Sequence, residues 1–336
     1  MRSTNAWVAT AATQKLVRQE IDLGPLEAEE VEVQVENCGL CHSDLSMRNN
    51  DWGMTNYPAI FGHEVIGRVS AVGSEAKGLK VGQRVGVGWT AGSCMHCRQC
   101  LSGDQHLCLE ARPTIIGHRG GFATHVRAHW AWTLPLPENI NYAEAGPLLC
   151  GGITVFNPLV MYAKPTSRVG IVGIGGLGHM GVKFAAAYGC EVTAFTSSES
   201  KFDEARDFGA HHVVSSRDSA AIKKLANTFD LLIVTVNVTL DWGALIGALA
   251  PKGRMHVVGA VAEPISVAVT PLIFGQKCLS ASPTGSPVAI EDMLSFAARH
   301  NIAPQTEHFP MSRINDAFER LESGKARYRI VLDADF

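Results

Sequence analysis

Residues 169–178 read Val-Gly-Ile-Val-Gly-Ile-Gly-Gly-Leu-Gly, an apolar run that passes directly into a glycine-rich turn. The run predicts a buried strand, and residues 177–188 predict a helix after the turn. The spacing G-x-G-x-x-G allows a tight turn at its first glycine, a pyrophosphate against the backbone at its second, and close packing of helix on strand at its third. This order is typical of a dinucleotide site, and a glycine-rich turn in an ordinary α/β domain is the alternative. The residues that we assign to this site are Gly173, Gly175, Gly176, Leu177 and Gly178.

Short apolar strands alternate with helical stretches around this turn. The pattern predicts strands at 169–172, 192–195, 231–236 and 255–258, and helices at 177–188, 201–208 and 242–249. Such alternation is the signature of a parallel sheet with crossover helices, the doubly wound Rossmann arrangement.

The residues before this region have a different pattern. Positions 31–36 alternate apolar and polar residues as a half-buried strand does, and the strand patterns at 65–73 and 81–88 contain glycines that favour bulges and curvature. Two helices are predicted at 290–299 and 314–321, and a final strand at 328–332. The sequence therefore predicts an α/β protein with a β-rich domain, 1–147 plus 284–336, and a Rossmann domain, 148–283.

The end of the second Rossmann strand selects the dinucleotide. NAD-binding proteins usually place Asp or Glu about 20 residues into the motif, where it accepts hydrogen bonds from the ribose. Here that position falls near Ser197, and a hydroxyl can donate to a 2′-phosphate that a carboxylate would repel. Ser198 and the cation of Lys201 complete a site for NADP(H) rather than NAD(H), provided that Glu199 points away. The alternative is that the serines only cap the following helix.

Composition limits the class of protein. A chain of 336 residues is too long for one ordinary hydrophobic core, which suggests two domains. A composition of 46% hydrophobic and 18% charged residues is typical of a globular protein. A formal net charge of -3 with mixed signs favours neither nucleic acid nor an anionic membrane as a partner, and no apolar run is long enough to span a membrane. Since the first residues lack the apolar core of a secretion signal, we expect a cytoplasmic enzyme or binding protein. Cysteines in such a chain are more often metal ligands or catalytic groups than disulfides.

Four of the cysteines are clustered, at Cys94, Cys97, Cys100 and Cys108. This spacing can surround one tetrahedral ion, and structural zinc favours four sulfur ligands. Four thiolates make the ion a poor Lewis acid, so we expect it to hold together a lobe with little core of its own. An iron–sulfur cluster and metal-free cysteines are the alternatives, but a ferredoxin-like run would carry a proline after its last cysteine, where Leu109 stands. We interpret His96, inside the cluster, as exposed.

Three further segments contain ligands far apart in sequence, namely Cys41-His42-Ser43-Asp44, Gly62-His63-Glu64 and Cys150-Gly151-Gly152. Dispersed ligands fit a catalytic metal whose site is gathered by the fold. Two thiolates and one neutral imidazole would balance a dication and leave a position open to polarise a carbonyl oxygen. Spacing alone does not prove that the segments converge, because a lone cysteine is more often a packing residue. We interpret the three remaining cysteines in that way: Cys38, Cys190 and Cys278.

The chain resembles the zinc-containing medium-chain alcohol dehydrogenases, and most of all the cinnamyl alcohol dehydrogenase group with its bacterial NADPH-dependent aldehyde reductases. The resemblance covers nearly the whole length and rests on the motifs above, together with Gly120-Gly121-Phe122-Ala123 and Ile153-Thr154. It implies a GroES-like catalytic domain with a zinc lobe, a Rossmann cofactor domain, and two zinc ions per subunit. It also implies a homodimer formed by extension of the cofactor-domain sheet.

The same resemblance assigns the ligands of the catalytic zinc. It implies that Cys41, His63 and Cys150 bind the ion and that Glu64 lies beside it. Asp44, three residues after Cys41, would orient His63 by a hydrogen bond.

The resemblance further implies hydride transfer between the nicotinamide and a small primary alcohol or aldehyde. We expect Ser43 to supply the proton to the alkoxide. In the family the relay from this position ends at a histidine, whereas the matching residue here is Ser46. His42 would contact the cofactor phosphates, and Thr154 would pack near the nicotinamide.

Two tryptophans match residues that narrow the substrate pocket in some microbial relatives. Indole walls at Trp52 and Trp89 would admit slender aldehydes and exclude bulky ones, and core packing is the alternative for each.

Two other classes of protein stay open at this point. One is a zinc-free quinone or enoyl reductase, and the other is a binding or lens-type structural protein on a dehydrogenase fold.

Overall fold

The structure, a computed structural model, describes residues 3–336 and divides into two compact units. One unit contains the residues up to Cys150 together with Gly285–Phe336, and the other contains Gly151–Thr284. The sequence places the corresponding boundaries after residues 147 and 283. The first boundary falls later because Cys150 contacts His63 of the β-rich unit, whereas Gly151 begins a helix of the other unit. Within residues 3–336 no helix is both long and apolar enough to cross a lipid bilayer.

The strands and helices are numbered here in chain order. The strands are β1 Ser3–Val8, β2 Val17–Asp22, β3 Glu30–Leu40, β4 Val65–Val72, β5 Arg84–Val87, β6 Thr90–Gly92, β7 Arg112–Pro113, β8 His125–His129, β9 Thr133–Pro135, β10 Arg168–Val172, β11 Glu191–Thr196, β12 His212–Ser215, β13 Phe229–Val234, β14 Leu249–Val257, β15 Cys278–Ala281, β16 Thr306–Pro310 and β17 Arg329–Asp333. The α-helices are α1 His42–Asn49, α2 Arg98–Leu101, α3 Gly151–Tyr162, α4 Gly178–Tyr188, α5 Phe202–Asp207, α6 Ser219–Lys224, α7 Trp242–Ala248, α8 Val269–Gly275, α9 Pro287–Arg299 and α10 Ile314–Glu322.

Strand β3 is the centre of the main sheet in the first unit. The strand order is β16-β17-β3-β4-β5-β9, and β8 also pairs with β3. Val31 and Val33 on β3 have no exposed surface, so the apolar set of the alternating pattern faces the core. Because β17 pairs antiparallel with β3, the last strand of the chain joins the same sheet as the third. The sheet thereby brings the start of β17 beside the end of β3, where Cys41 follows.

The second unit is a six-stranded parallel sheet in the order β12-β11-β10-β13-β14-β15. Strand β10 lies between β11 and β13, so the chain order reverses at its carboxyl end. In open α/β sheets a ligand crevice forms at such a reversal. The core of the sheet includes the rings of Phe195 and Phe229, which pack edge to face with centroids 5.5 Å apart.

The predicted α/β class with a doubly wound parallel sheet is confirmed. Most predicted elements lie within a few residues of those observed, for example β10 and α4. The sequence patterns missed α3, because its first nine residues are buried and no polar face marks its period. They also missed β12 and β15, the two short edge strands, whose residues are mostly half-buried or exposed and give no clear apolar run.

A buried histidine of the Rossmann unit has polar partners on both ring nitrogens. His256 has no exposed surface, and its Nδ1 and Nε2 lie 2.9 Å and 2.8 Å from the hydroxyls of Ser280 and Ser282. Burial, reinforced by the nearby guanidinium of Arg254, lowers the pKa of His256 to about 4. The folded state therefore holds this imidazole neutral.

We expect His256 to make the stability of the folded protein depend on acid. Its folded-state pKa lies below the unfolded value, so the unfolded chain binds the proton first and stability falls as pH decreases from about 6.5 to 4. The effect approaches ~3 kcal/mol. Urea unfolding across this range should show a shallower pH slope for His256→Gln, which keeps hydrogen-bonding groups but does not titrate. The exposed His300→Gln is the control, and equal slopes for His256→Gln and wild type would contradict the expectation.

Candidate active site and metal centres

One buried carboxylate organises the candidate active site. Asp44, in the first turn of α1, directs its side chain back toward the start of the helix. Its Oδ2 accepts the Cys41 N–H at 2.9 Å, and its Oδ1 accepts the Gly62 N–H at 2.9 Å. The same Oδ1 lies 3.1 Å from Nδ1 of His63. Because Asp44 has no exposed surface, water does not compete for these bonds.

The structure brings together the side chains of the dispersed segments. Donor atoms of Cys41, His63, Glu64 and Cys150 lie within 4.8 Å of one another, and all four residues are buried. His63 faces the carboxylate with Nδ1, and its Nε2 lies 3.2 Å from Cys150 Sγ. Tetrahedral zinc would separate such a nitrogen and sulfur by about 3.5 Å. The set of donors and its spacing therefore fit zinc.

Glu64 is held beside this group by an arginine from the end of the chain. Arg329, the first residue of β17, forms an ion pair with the Glu64 carboxylate, and both side chains are buried. A Cβ at position 39 would overlap that carboxylate, so Gly39 is required for the approach. Within residues 3–336 the Oε2 atom of Glu64 has no hydrogen-bond partner. A buried carboxylate oxygen without a donor, beside two thiols and an imidazole, fits a cation site.

The pKa shifts of Cys41, Cys150 and Glu64 also favour a bound cation. The Cys150 thiol donates to Cys41 and holds the pKa of Cys41 well below its usual range, while the pKa of Cys150 is raised well above it for the same reason. The two sulfurs therefore share one proton. Burial raises the pKa of Glu64 to about 7, against the opposing effect of Arg329. A dication in place of the shared proton would stabilise both thiolates.

One indole ring borders the group, and a second packs against the first. The Trp89 ring meets the His63 ring edge to face, with centroids 5.1 Å apart and planes at 86°. Trp52 packs against Trp89 at 6.4 Å in a similar arrangement. Both tryptophans are half-buried, so each combines packing with a face open to the surroundings. The structure thus places Trp89 against a candidate metal ligand and Trp52 against Trp89.

Three of the remaining residues expected at the catalytic centre lie in α1. Ser43 Oγ lies 3.8 Å from Cys41 Sγ, and Ser46 follows one helical turn later on the same face. Both serines are half-buried, whereas His42 is exposed. Thr154 belongs to the other unit, where it is buried in α3.

The four clustered cysteines form a second candidate metal site. The sulfur of Cys94 lies 3.9 Å from that of Cys100 and 3.6 Å from that of Cys108, and the Cys97 and Cys108 sulfurs are 3.8 Å apart. Four sulfurs at about 2.3 Å from a tetrahedral zinc would be about 3.8 Å apart. A disulfide would need about 2.05 Å. The separations fit a four-thiolate zinc site, and His96 is exposed beside it, as expected.

The lobe around these cysteines has little apolar packing of its own. Leu101, Leu107 and Leu109 are 76%, 47% and 99% exposed. The backbone N–H of His96 lowers the pKa of Cys94 to about 6, whereas burial raises that of Cys100 to about 11. Four thiolates therefore need a cation to coexist near neutral pH, and that cation would supply the cohesion that the core does not.

The glycine loop of the Rossmann unit has three different environments. Gly173 has φ 97°, a conformation that favours glycine, and its carbonyl accepts the Thr235 hydroxyl at 2.8 Å. A Cβ on Gly178 would overlap the Gly173 carbonyl, so helix and turn pack closely there. A Cβ on Gly175 would meet no atom within 4 Å. The open space at Gly175, beside Gly176 and Leu177, fits the approach of a pyrophosphate.

No carboxylate occupies the residue after the second Rossmann strand. Strand β11 ends at Thr196, and the exposed Ser197 follows. Ser198 Oγ lies 2.8 Å from Ser200 Oγ. Lys201 Nζ donates to the Ile174 carbonyl at 2.8 Å, which puts its ammonium at the glycine loop. These groups fit the 2′-phosphate of NADP(H), and Glu199 is exposed.

Sequence patterns missed two residues of the candidate site. Arg329 pairs with a residue 265 positions earlier, and only the presence of an arginine in an apolar terminal strand hinted at it. Gly39 could have been noticed as a glycine inside a strand that leads to a candidate ligand.

The other cysteines, Cys38 and Cys190, are buried, and Cys278 is half-buried.

The fold and these donor sets are typical of zinc-binding, dinucleotide-dependent dehydrogenases. The chain belongs to the zinc-containing alcohol dehydrogenase family. Residues 27–138 match the alcohol dehydrogenase GroES-like domain, and residues 176–299 match the zinc-binding dehydrogenase domain.

Relatives within the family agree with the predicted resemblance, which is confirmed. Aldehyde reductase AdhA of Synechocystis is 52% identical over 97% of this chain and 98% of its own length, and cinnamyl alcohol dehydrogenase 7 of Arabidopsis thaliana is 40% identical over 90% and 88%. Among solved structures, cinnamyl alcohol dehydrogenase from Sorghum bicolor has a TM-score of 0.95 at 36% identity, covering 99% of this chain and 98% of its own. The Helicobacter pylori cinnamyl alcohol dehydrogenase, complexed with NADP(H), has a TM-score of 0.89 at 27% identity, covering 98% of each chain.

The Glu64–Arg329 pair predicts a large stability effect. Arg329→Met should lower the free energy of unfolding by about 3–5 kcal/mol, because it leaves a buried carboxylate without its counter-ion. The double variant Glu64→Gln/Arg329→Met should be milder than Arg329→Met alone. Arg313→Met breaks a solvent-exposed pair with Asp316 and should cost less than about 1 kcal/mol. Urea unfolding measures all three, and equal losses in the two arginine variants would contradict the expectation.

Proposed function

We propose that this chain is an NADP(H)-dependent zinc alcohol dehydrogenase that interconverts primary alcohols and aldehydes, with aldehyde reduction the favoured direction. The observation that carries the proposal is the convergence of Cys41, His63 and Cys150 in one buried group beside an indole wall. The relatives are an aldehyde reductase and a cinnamyl alcohol dehydrogenase, which supports the direction and the substrate class. In this proposal the β-rich unit is the catalytic domain and the Rossmann unit binds the cofactor.

Two zinc ions per chain fit the two sets of donors. Cys41, His63 and Cys150 would hold the catalytic ion, with Glu64 beside them, and the four clustered cysteines would hold the structural ion. When bound, the catalytic ion supplies a Lewis acid for the substrate oxygen, and the nicotinamide supplies the hydride. Asp44 keeps the His63 ring oriented for ligation through its bond to Nδ1.

Ser43 would handle the proton of the reaction. Its hydroxyl lies next to Cys41 at the edge of the metal group, and it would donate a proton to the substrate oxygen in aldehyde reduction and accept one in alcohol oxidation. Ser46, one turn away, is the next hydroxyl along α1. A serine in place of the family's histidine removes a group with pKa near 6.5 from the relay, so proton exchange with solvent would finish the transfer.

The Rossmann unit would bind NADP(H) through the glycine loop and the residues after β11. Ser197, Ser198 and Lys201 offer hydroxyl and ammonium donors to a 2′-phosphate, and His42 and Thr154 would contact the rest of the cofactor. Trp52 and Trp89 would form the wall against which slender aliphatic or aromatic aldehydes lie.

A homodimer in the cytoplasm completes the proposal. Strand β15 is the last strand at its edge of the sheet described for residues 3–336, so its outer backbone groups are open to pairing. Beside it, α8 exposes Val269, Ile273 and Phe274, the last at 87%. A two-fold axis at the β15 edge would continue the sheet into a second copy of the chain and cover these apolar side chains. Neither nucleic acid nor a membrane is expected as a partner.

The dinucleotide preference can be tested with aldehyde reduction assays. We expect kcat/KM with NADPH to exceed that with NADH, and Ser197→Asp to shift the ratio toward NADH by about tenfold or more, because the new carboxylate repels the 2′-phosphate. Thr166→Asp places the same charge at the exposed amino end of β10 and should leave the ratio unchanged. Faster turnover with NADH in the wild type, or no shift in Ser197→Asp, would contradict the assignment. NADPH binding without turnover of any aldehyde would favour a non-catalytic binding protein.

Metal analysis tests the two zinc sites. We expect two zinc ions per purified chain, one after Cys150→Ser and one after Cys100→Ser. Cys150→Ser should abolish aldehyde reduction while retaining the stability of the lobe, and Cys100→Ser should lower the melting temperature. Cys190→Ser, at a buried cysteine outside both groups, should keep both ions. A wild-type chain that is fully active without zinc would instead support a zinc-free reductase.

A further inference from the structure

The backbone of the Trp89 segment is held by one buried threonine. Thr114 Oγ1 donates to the Gly88 carbonyl at 2.6 Å, and its N–H donates to the Trp89 carbonyl at 2.8 Å. Thr114 has no exposed surface. Because one residue binds two consecutive carbonyls in a water-excluded site, the peptide that joins Gly88 to Trp89 cannot rotate without losing a bond that water does not replace.

The same segment is also confined by the backbone next to a candidate zinc ligand. A Cβ on Gly88 would lie 2.7 Å from the carbonyl oxygen of Leu149, the residue before Cys150. The segment therefore has little room to shift toward Leu149, and a change at Thr114 would reach the Trp89 side chain rather than be absorbed by the backbone. That side chain contacts His63 and Trp52.

The position of Thr114 depends in turn on the four-cysteine lobe. Strand β6 leads into the lobe, β7 leaves it, and the two pair antiparallel. Thr114 follows directly after β7. Closure of the lobe therefore places Thr114 against Gly88 and Trp89.

We propose that Thr114 is a positioning residue that sets substrate selectivity by fixing the Trp89 indole against His63. The inference rests on the proposed function, in which Trp89 borders the substrate. Thr114 touches no reacting group itself, and it acts through the backbone carbonyls of residues 88 and 89. It also connects the structural lobe to the substrate wall, which gives the lobe an influence on selectivity as well as on stability.

The test compares kcat and KM for a linear and an α-branched aldehyde with NADPH, using the zinc-loaded enzyme. Thr114→Val removes the hydroxyl at nearly constant volume and should lower the linear-over-branched ratio of kcat/KM about fivefold, chiefly through KM. Thr133→Val is the matched control, since Thr133 is 2% exposed and its hydroxyl donates to the His129 carbonyl at 3.3 Å. It should leave the ratio unchanged. Thr114→Ser restores the hydroxyl and should restore the ratio.

A double-variant cycle with Trp89→Phe separates positioning from a general structural role. If Thr114 acts through Trp89, Thr114→Val should add nothing to the selectivity change of Trp89→Phe. Where the valine methyl prevents folding, Thr114→Ala removes the same hydroxyl without a methyl against the Gly88 carbonyl and carries the same expectation.

Two outcomes would overturn the inference while leaving the proposed function intact. One is an active wild type in which Thr114→Val and Thr133→Val have the same linear-over-branched ratio of kcat/KM. The other is a double variant in which the selectivity changes of Thr114→Val and Trp89→Phe are fully additive. A wild-type chain that reduces neither aldehyde overturns the proposed function, and the inference falls with it.

Discussion

The three bonds to the buried carboxylate of Asp44 are the constraint on which the candidate active site depends. They join the N–H of Cys41, the N–H of Gly62 and the imidazole of His63 through one side chain that water does not reach. Two of the three candidate zinc ligands are thereby fixed in backbone position and ring orientation together. A weaker or solvent-exposed acceptor would hold the backbone of Cys41 and the ring of His63 less firmly.

The two candidate metal sites would differ in chemistry because their donor sets differ in charge. Four thiolates around one dication leave no open position and a net negative charge, which suits a site that holds a poorly packed lobe. Two thiolates and an imidazole balance a dication, and a neighbouring carboxylate held by Arg329 stays available beside it. Zinc could therefore stabilise the fold of the lobe at one site and act as a Lewis acid at the other.

Much of the site could be predicted because its chemistry is local in sequence. The four-cysteine spacing, the glycine loop and the serines after β11 each lie within one short segment, and the structure places them in arrangements that fit their expected ligands. Arg329 and Thr114 could not be found in this way. The arginine in an apolar terminal strand marks Arg329 as unusual, but residue types do not reveal that its partner Glu64 lies 265 positions earlier. Thr114 acts through backbone carbonyls, which residue types do not reveal either.

Periodicity in the sequence predicts the fold class, and cysteine spacing predicts the four-cysteine group. The family, and with it the dispersed donors Cys41, His63 and Cys150, is predicted by the resemblance of the motifs to known family members. The tertiary structure decided which donors meet, since the distance between Cys41 and Cys150 depends on how β3 and its neighbours pair. It also decided that Trp89 lies edge-on to His63 and that a terminal strand brings a cation to Glu64. Those contacts arise from sheet register and burial, which are properties of the whole packed unit rather than of any segment.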